Sequence, residues 1–110
     1  MKAPLGEFEV VVLMAVLHLG TDADGSAVRD AIEQRIGRSV SRGSVYVTLD
    51  RLEDKGLLVS KLFDAPTVRG GARRLFRTTA SGIRAVKHAI DTVERMRQGL
   101  EPILGAGGLR

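Results

Sequence analysis

Apolar residues run unbroken from Val10 to Leu17, the densest hydrophobic stretch in the chain. The pattern predicts a first helix from about Gly6 to Leu19, with Glu7 and Glu9 in its first turn, where carboxylates suit the helix dipole. A helix apolar on every side is expected to be buried on every side. A chain of 110 residues builds one core, which covers only part of that circumference. The remainder is expected to meet a second subunit, with Val12 and Val16 assigned to that contact.

A polar turn over residues 21–25 precedes a second helix, capped by Asp24 or Ser26 and ending at Gly37. Val28, Ala31, Ile32 and Ile36 form its apolar stripe. Residues 38–40 read as a short connection able to add a brief strand. Ser41 is placed to cap a third helix running to Lys55, and Gly56 to end it in a left-handed conformation. Val45, Leu49 and Leu52 are expected to face the core, and Ser44, Thr48, Arg51 and Lys55 to face outward. Residues 57–63 and 74–78 read as two strands. The ten residues between them, long for a hairpin loop, contain Gly70 and Gly71 and predict a mobile projection. Arg69, Arg73, Arg74 and Arg77 make that projection basic. Thr79 caps a last helix of about 80–98. There Ile83, Val86, Ile90 and Val93 form a seam of barely two heptads, too short for an independent coiled coil but able to pack on helix one of a partner. With four glycines and one proline among the last twelve residues, the tail is expected to fray.

The expected fold is mainly α with a small antiparallel β-hairpin. Residues 1–79 form one unit, 80–100 a C-terminal dimerisation helix and 101–110 a flexible tail. The eight-residue apolar run falls short of the about 20 residues that span a membrane. No small-x-small cleavage site follows it, so the reading is a soluble, cytoplasmic protein. There is no cysteine, which excludes disulfides and thiolate metal sites, and neither metal nor cofactor is expected.

Charge changes the picture more than composition does. Residues 1–68 carry 8 Lys/Arg and 10 Asp/Glu, whereas residues 69–97 carry 8 and 2. Basic charge concentrated from Arg69 onward is an electrostatic footprint for a polyanion. The element order of three helices, strand, basic loop, strand and helix is that of a winged helix-turn-helix. Helix three has an apolar inner stripe to anchor it and a polar outer stripe to read a major groove. Its first turn, with Ser41, Arg42 and Ser44, offers backbone N–H groups and charge to phosphate. Thr48 and Arg51 continue that face, while Arg73 and Arg74 are the wing's candidates for phosphate or a narrow minor groove. Tyr46, Phe8, Phe63 and Phe76 are the only aromatics, too few for a single-strand stacking platform.

Residues 43–57, Gly-Ser-Val-Tyr-Val-Thr-Leu-Asp-Arg-Leu-Glu-Asp-Lys-Gly-Leu, resemble the recognition-helix motif of PadR-like transcriptional regulators, in outline G-T-[LV]-Y-P-x-L-x-R-L-E-x-x-G-L. Residues 70–82 resemble that family's wing, G-G-x-x-R-x-x-Y-x-[LI]-T-x-x-G. Val47 stands for the usual Pro, Ser44 for Thr, and Arg77 near the place of an aromatic. The resemblance spans about residues 5–95. It implies a homodimeric repressor on double-stranded DNA, with Tyr46 touching the DNA backbone. It also implies release by a small apolar or phenolic effector.

Two other functional classes remain open from the residues. One is a winged-helix protein-interaction module without DNA binding, since fold alone does not fix function. The other is a sensor holding a small apolar molecule between helix one and the last helix. An enzyme is not expected. His18 and His88 lie seventy positions apart, and no nucleophile with a general base is visible.

Overall fold

A computed structural model describes residues 5–66 and 71–105 of the protein. Helix α1 spans Glu7–Leu19, followed by a 3-10 turn over Gly20–Asp22. Helices α2 and α3 span Gly25–Ile36 and Arg42–Asp54. Strands β1 and β2 cover Leu58–Asp64 and Ala72–Thr78, and helices α4 and α5 cover Ala80–Arg97 and Glu101–Leu104.

The starts of α1 to α4 are each held by a side chain in the first turn or at the cap. The Glu9 carboxylate reaches back to accept from the Gly6 N–H at 2.9 Å. Asp24 accepts from the Ala27 N–H at 2.8 Å, Ser41 from Ser44 at 3.0 Å and Thr79 from Gly82 at 3.0 Å. Beyond α3, Gly56 takes φ +77°, and the Leu57 N–H closes the helix end on the Leu52 carbonyl at 3.0 Å.

The core lies where α1, α2 and α3 meet the hairpin base. Val12, Leu13, Val16, Val28, Ile32, Val45, Leu49, Leu52, Leu58 and Phe76 are all buried there. β1 and β2 pair antiparallel from Leu58 opposite Thr78 to Asp64 opposite Ala72, so β1 is shifted by one residue from the sequence pattern and β2 begins two residues earlier. The Ala65 N–H bonds to the Gly71 carbonyl at 3.0 Å and narrows the loop, of which Arg69 and Gly70 lie outside the described residues.

Several expectations are corrected. Residues 38–40 form no strand. The Val40 N–H donates to the Glu33 carboxylate at 3.1 Å and its carbonyl accepts from Arg29 at 3.0 Å, so α2 side chains satisfy the backbone a strand would use. The free edge of β2 is instead met by Ala23, whose carbonyl accepts from the Phe76 N–H at 2.9 Å. The core leaves part of helix α1 uncovered, at Leu17, and Ile36 at the end of the expected α2 stripe is exposed. Val12 and Val16 sit inside this chain's own core, and Val86 is buried against it, so none of the three is left for a partner. Residues 101–104 form a helical turn, and residues 106–110 of the expected flexible tail lie outside the described residues. Pro102 opens that turn, and Arg97 holds it through an ion pair to Glu101 at 3.1 Å.

Candidate nucleic-acid interface

Helix α3 presents its N-terminal half to solvent. Ser41, Arg42, Gly43 and Ser44 are all exposed. The Ser41 hydroxyl accepts from the Ser44 N–H and donates to the Ser44 hydroxyl at 2.7 Å, which fixes the first turn. Helix geometry leaves the Arg42 and Gly43 N–H groups without a carbonyl one turn back, so they point outward as anion donors. The Arg42 guanidinium reaches across to the Ser26 hydroxyl at 3.4 Å and meets no carboxylate among the described residues. The N-termini of α2 and α3 therefore lie side by side, bridged by one unneutralised cation.

Tyr46 is half-buried on the flank of α3 that faces α2, and its ring lies over Gly25. A Cβ on Gly25 would fall 2.2 Å from the ring's Cζ, so the contact demands glycine. Arg51 is exposed with no ion pair among the described residues. Thr48 is a correction. Only 5% of it is exposed, because it lies three residues after Val45 and four before Leu52, on the inward face. Lys55 is likewise engaged, donating to Glu9 at 2.7 Å. Burial would raise the Glu9 carboxyl, but the Lys55 hydrogen bond, the Gly6 N–H and the nearby positive charges hold it below the ordinary glutamate value.

Sequence reasoning missed Val47. It is 54% exposed on the outermost face of α3, where an apolar side chain suits a thymine methyl. Its position two residues beyond the inward Val45 was the available signal.

The hairpin carries its cations in two states. Arg73 donates to the Asp24 carboxylate at 2.6 Å. Arg74 donates to Asp50 at 2.9 Å, to Glu53 at 2.5 Å and to the Ser60 hydroxyl at 3.0 Å. Burial would raise the Asp24 carboxyl, but Arg73 and the Ala27 N–H hold it below the usual aspartate range. Lys61 and Arg77, on the opposite strand face from Arg74, have no carboxylate partner among the described residues.

Beyond the hairpin, Ile83, Ile90 and Val93 of the α4 seam are exposed, Val93 at 68%. Met96 at 75%, with Leu100, Ile103 and Leu104, extends that apolar surface past the expected seam. Among the described residues no group of His, Asp or Glu is placed to hold a metal, and no helix is long and apolar enough to cross a membrane.

Comparison with known proteins agrees with this geometry. The chain is 39% identical over 79 residues to the transcriptional regulator Rv3488 of Mycobacterium tuberculosis, covering 69% of this chain and 70% of that protein. Its fold is similar to a PadR family transcription regulator from Clostridium difficile R20291, with TM-score 0.73 at 19% identity over 91% of this chain and 100% of the other. It is also similar to F93 from STIV, a winged-helix DNA-binding protein, with TM-score 0.66 at 18% identity over 88% and 98%. The profile of the transcriptional regulator PadR-like family matches residues 13–88. The chain belongs to the PadR-like family of transcriptional regulators and has the winged-helix fold.

Proposed function

We propose that the protein is a homodimeric repressor that lays the exposed half of α3 into the major groove of an inverted-repeat operator. The observation that carries this reading is the unneutralised Arg42 beside the open first turn of α3 and the start of α2. Ser41 and Ser44 frame the phosphate there, Tyr46 lies on its α2 side, and Arg51 and Val47 follow along the groove-facing side. Two such helices about a two-fold axis meet successive major grooves about 34–36 Å apart. The exposed residues of α4, Ile83, Ile90 and Val93, supply the apolar surface that holds the copies together. A small apolar or phenolic effector enters between α1 and α4 of that dimer and shifts the spacing of the two recognition helices.

Selection of bound duplex from a random pool tests the operator. It is expected to return an imperfect inverted repeat. Arg42→Ala is expected to weaken binding to every duplex and to lower the slope of log affinity against log salt by about 0.9, the loss of one phosphate contact. An unchanged slope would show that this end of α3 does not face DNA. Phenolic acids that stabilise the protein in a thermal-shift screen and release the selected duplex would identify the effector class.

A further inference from the structure

Arg73 and Arg74 are neighbours on β2, so their side chains leave opposite faces of the strand. Each ends on a different helix of the DNA-reading unit: Arg73 on Asp24, the cap of α2, and Arg74 on Asp50 and Glu53 of α3. All three guanidinium nitrogens of Arg74 are in use, and its plane lies over the Phe76 ring at 4.6 Å. The Ser60 hydroxyl, which accepts from Arg74, itself donates to Glu53 at 2.9 Å. β1, β2 and α3 thus share one closed network. A rigid planar fork used at every nitrogen is the arrangement arginine serves better than lysine.

We propose that Arg73 and Arg74 are positioning residues, two struts that set the angle of the wing to α2 and α3, and that the wing meets DNA through Lys61 and Arg77 instead. The proposal rests on the DNA-binding reading of α3 given above. Electrostatics decides between strut and contact. For Arg74 to bind a phosphate it must leave two carboxylates at 2.5 and 2.9 Å. Asp50 and Glu53 would then sit unpaired on the helix that approaches a polyanion, which opposes the binding the move was meant to serve. Left in place, Arg74 neutralises that flank of α3. Arg73 does the same for Asp24 without disturbing its cap, since the cap bond to Ala27 uses the other carboxylate oxygen. Lys61 and Arg77 lie on the hairpin face opposite Arg74, the face that Arg73 shares, and meet no carboxylate among the described residues; the Lys61 ammonium lies over the Phe63 ring at 5.6 Å.

The sign of one substitution separates the two roles. Asp50→Asn/Glu53→Gln removes two negative charges beside the DNA. If Arg74 is a phosphate contact held back by its carboxylates, the variant binds the selected duplex more tightly and with a steeper salt slope. If Arg74 is a strut, affinity for the selected duplex over a scrambled one falls, by about tenfold for a loss near 1.4 kcal/mol. Arg74→Gln then shows the same loss of discrimination with its salt slope within error of wild type, whereas Lys61→Gln and Arg77→Gln each lower the slope by about 0.9. Asp24→Asn keeps a good capping residue while removing the charge, and isolates the Arg73 strut from helix stability. Hydrogen exchange of the β1–β2 amides gives a readout that needs no DNA: protection falls in every strut variant and stays in Lys61→Gln and Arg77→Gln. Tighter binding by the double variant, or a full unit of slope lost in Arg74→Gln, overturns the proposal. Failure of Arg42→Ala to change the slope would instead strike the α3 reading and leave the exchange result to judge the struts.

Discussion

Two glycines show how differently a single methyl group is received. At Gly82 an added Cβ would lie 2.3 Å from the Leu57 carbonyl oxygen and 2.6 Å from the Thr78 methyl, at the seam where α4 meets the hairpin base. Backbone cannot swing aside, so Gly82→Ala is expected to destabilise the protein by about 1–3 kcal/mol, read as a lower midpoint in urea unfolding. At Gly25 the obstacle is the far end of the Tyr46 side chain, which can rotate away. Gly25→Ala is therefore expected to keep the fold and its midpoint nearly intact while moving Tyr46 and weakening DNA binding. If both variants lose stability equally, the Tyr46 ring is a core element and not part of the reading surface. The contacts of Gly82 with Leu57 and of Gly25 with Tyr46 are not legible in the sequence, because the partners lie 25 and 21 positions apart.

Among elements, α1 and α3 are joined by Glu9 and Lys55, forty-six positions apart, with the Glu9 side chain largely buried. The folded-state carboxyl lies below its ordinary value, so its contribution to stability is fully present above the unfolded glutamate range near 4.5 and is lost as pH falls through the lower folded value. Asp24 adds the same sign through Arg73. Melting temperature followed from neutral to acid pH should fall steeply below about pH 4.5 for wild type and less steeply for Glu9→Gln. Parallel curves would mean the pair contributes nothing across this range. The helices themselves were readable from capping residues and apolar spacing, to within a residue or two at most ends. Thr48 was not, since a threonine fits either face of α3 and only the packing of Val45, Leu49 and Leu52 decides which.

For the whole molecule, a radius of gyration of 16.1 Å exceeds the about 13 Å of a compact domain this size, and the extents are 55 × 35 × 21 Å. The excess accompanies α4 and α5, whose exposed apolar residues, Ile103 among them at 78%, lie beyond the single core. An apolar surface this long calls for a cover. Ile90→Glu with Val93→Glu is expected to leave the α1–α3 core folded by circular dichroism, to give a monomer in sedimentation, and to weaken operator binding by at least about a hundredfold through lost two-site attachment. A dimer that survives both charges would place the interface elsewhere.

Capping residues, apolar periodicity and the order of elements are local properties, and from them the sequence alone determined helices α1 to α4, the hairpin and the family resemblance. Which apolar residues face this chain's own core, as Val12, Val16 and Val86 do, was decided only when the elements packed. The partners of Arg73 and Arg74 were decided there too, because a charge is neutralised by whatever folding brings near it, and Asp24, Asp50 and Glu53 come from 49, 24 and 21 positions away.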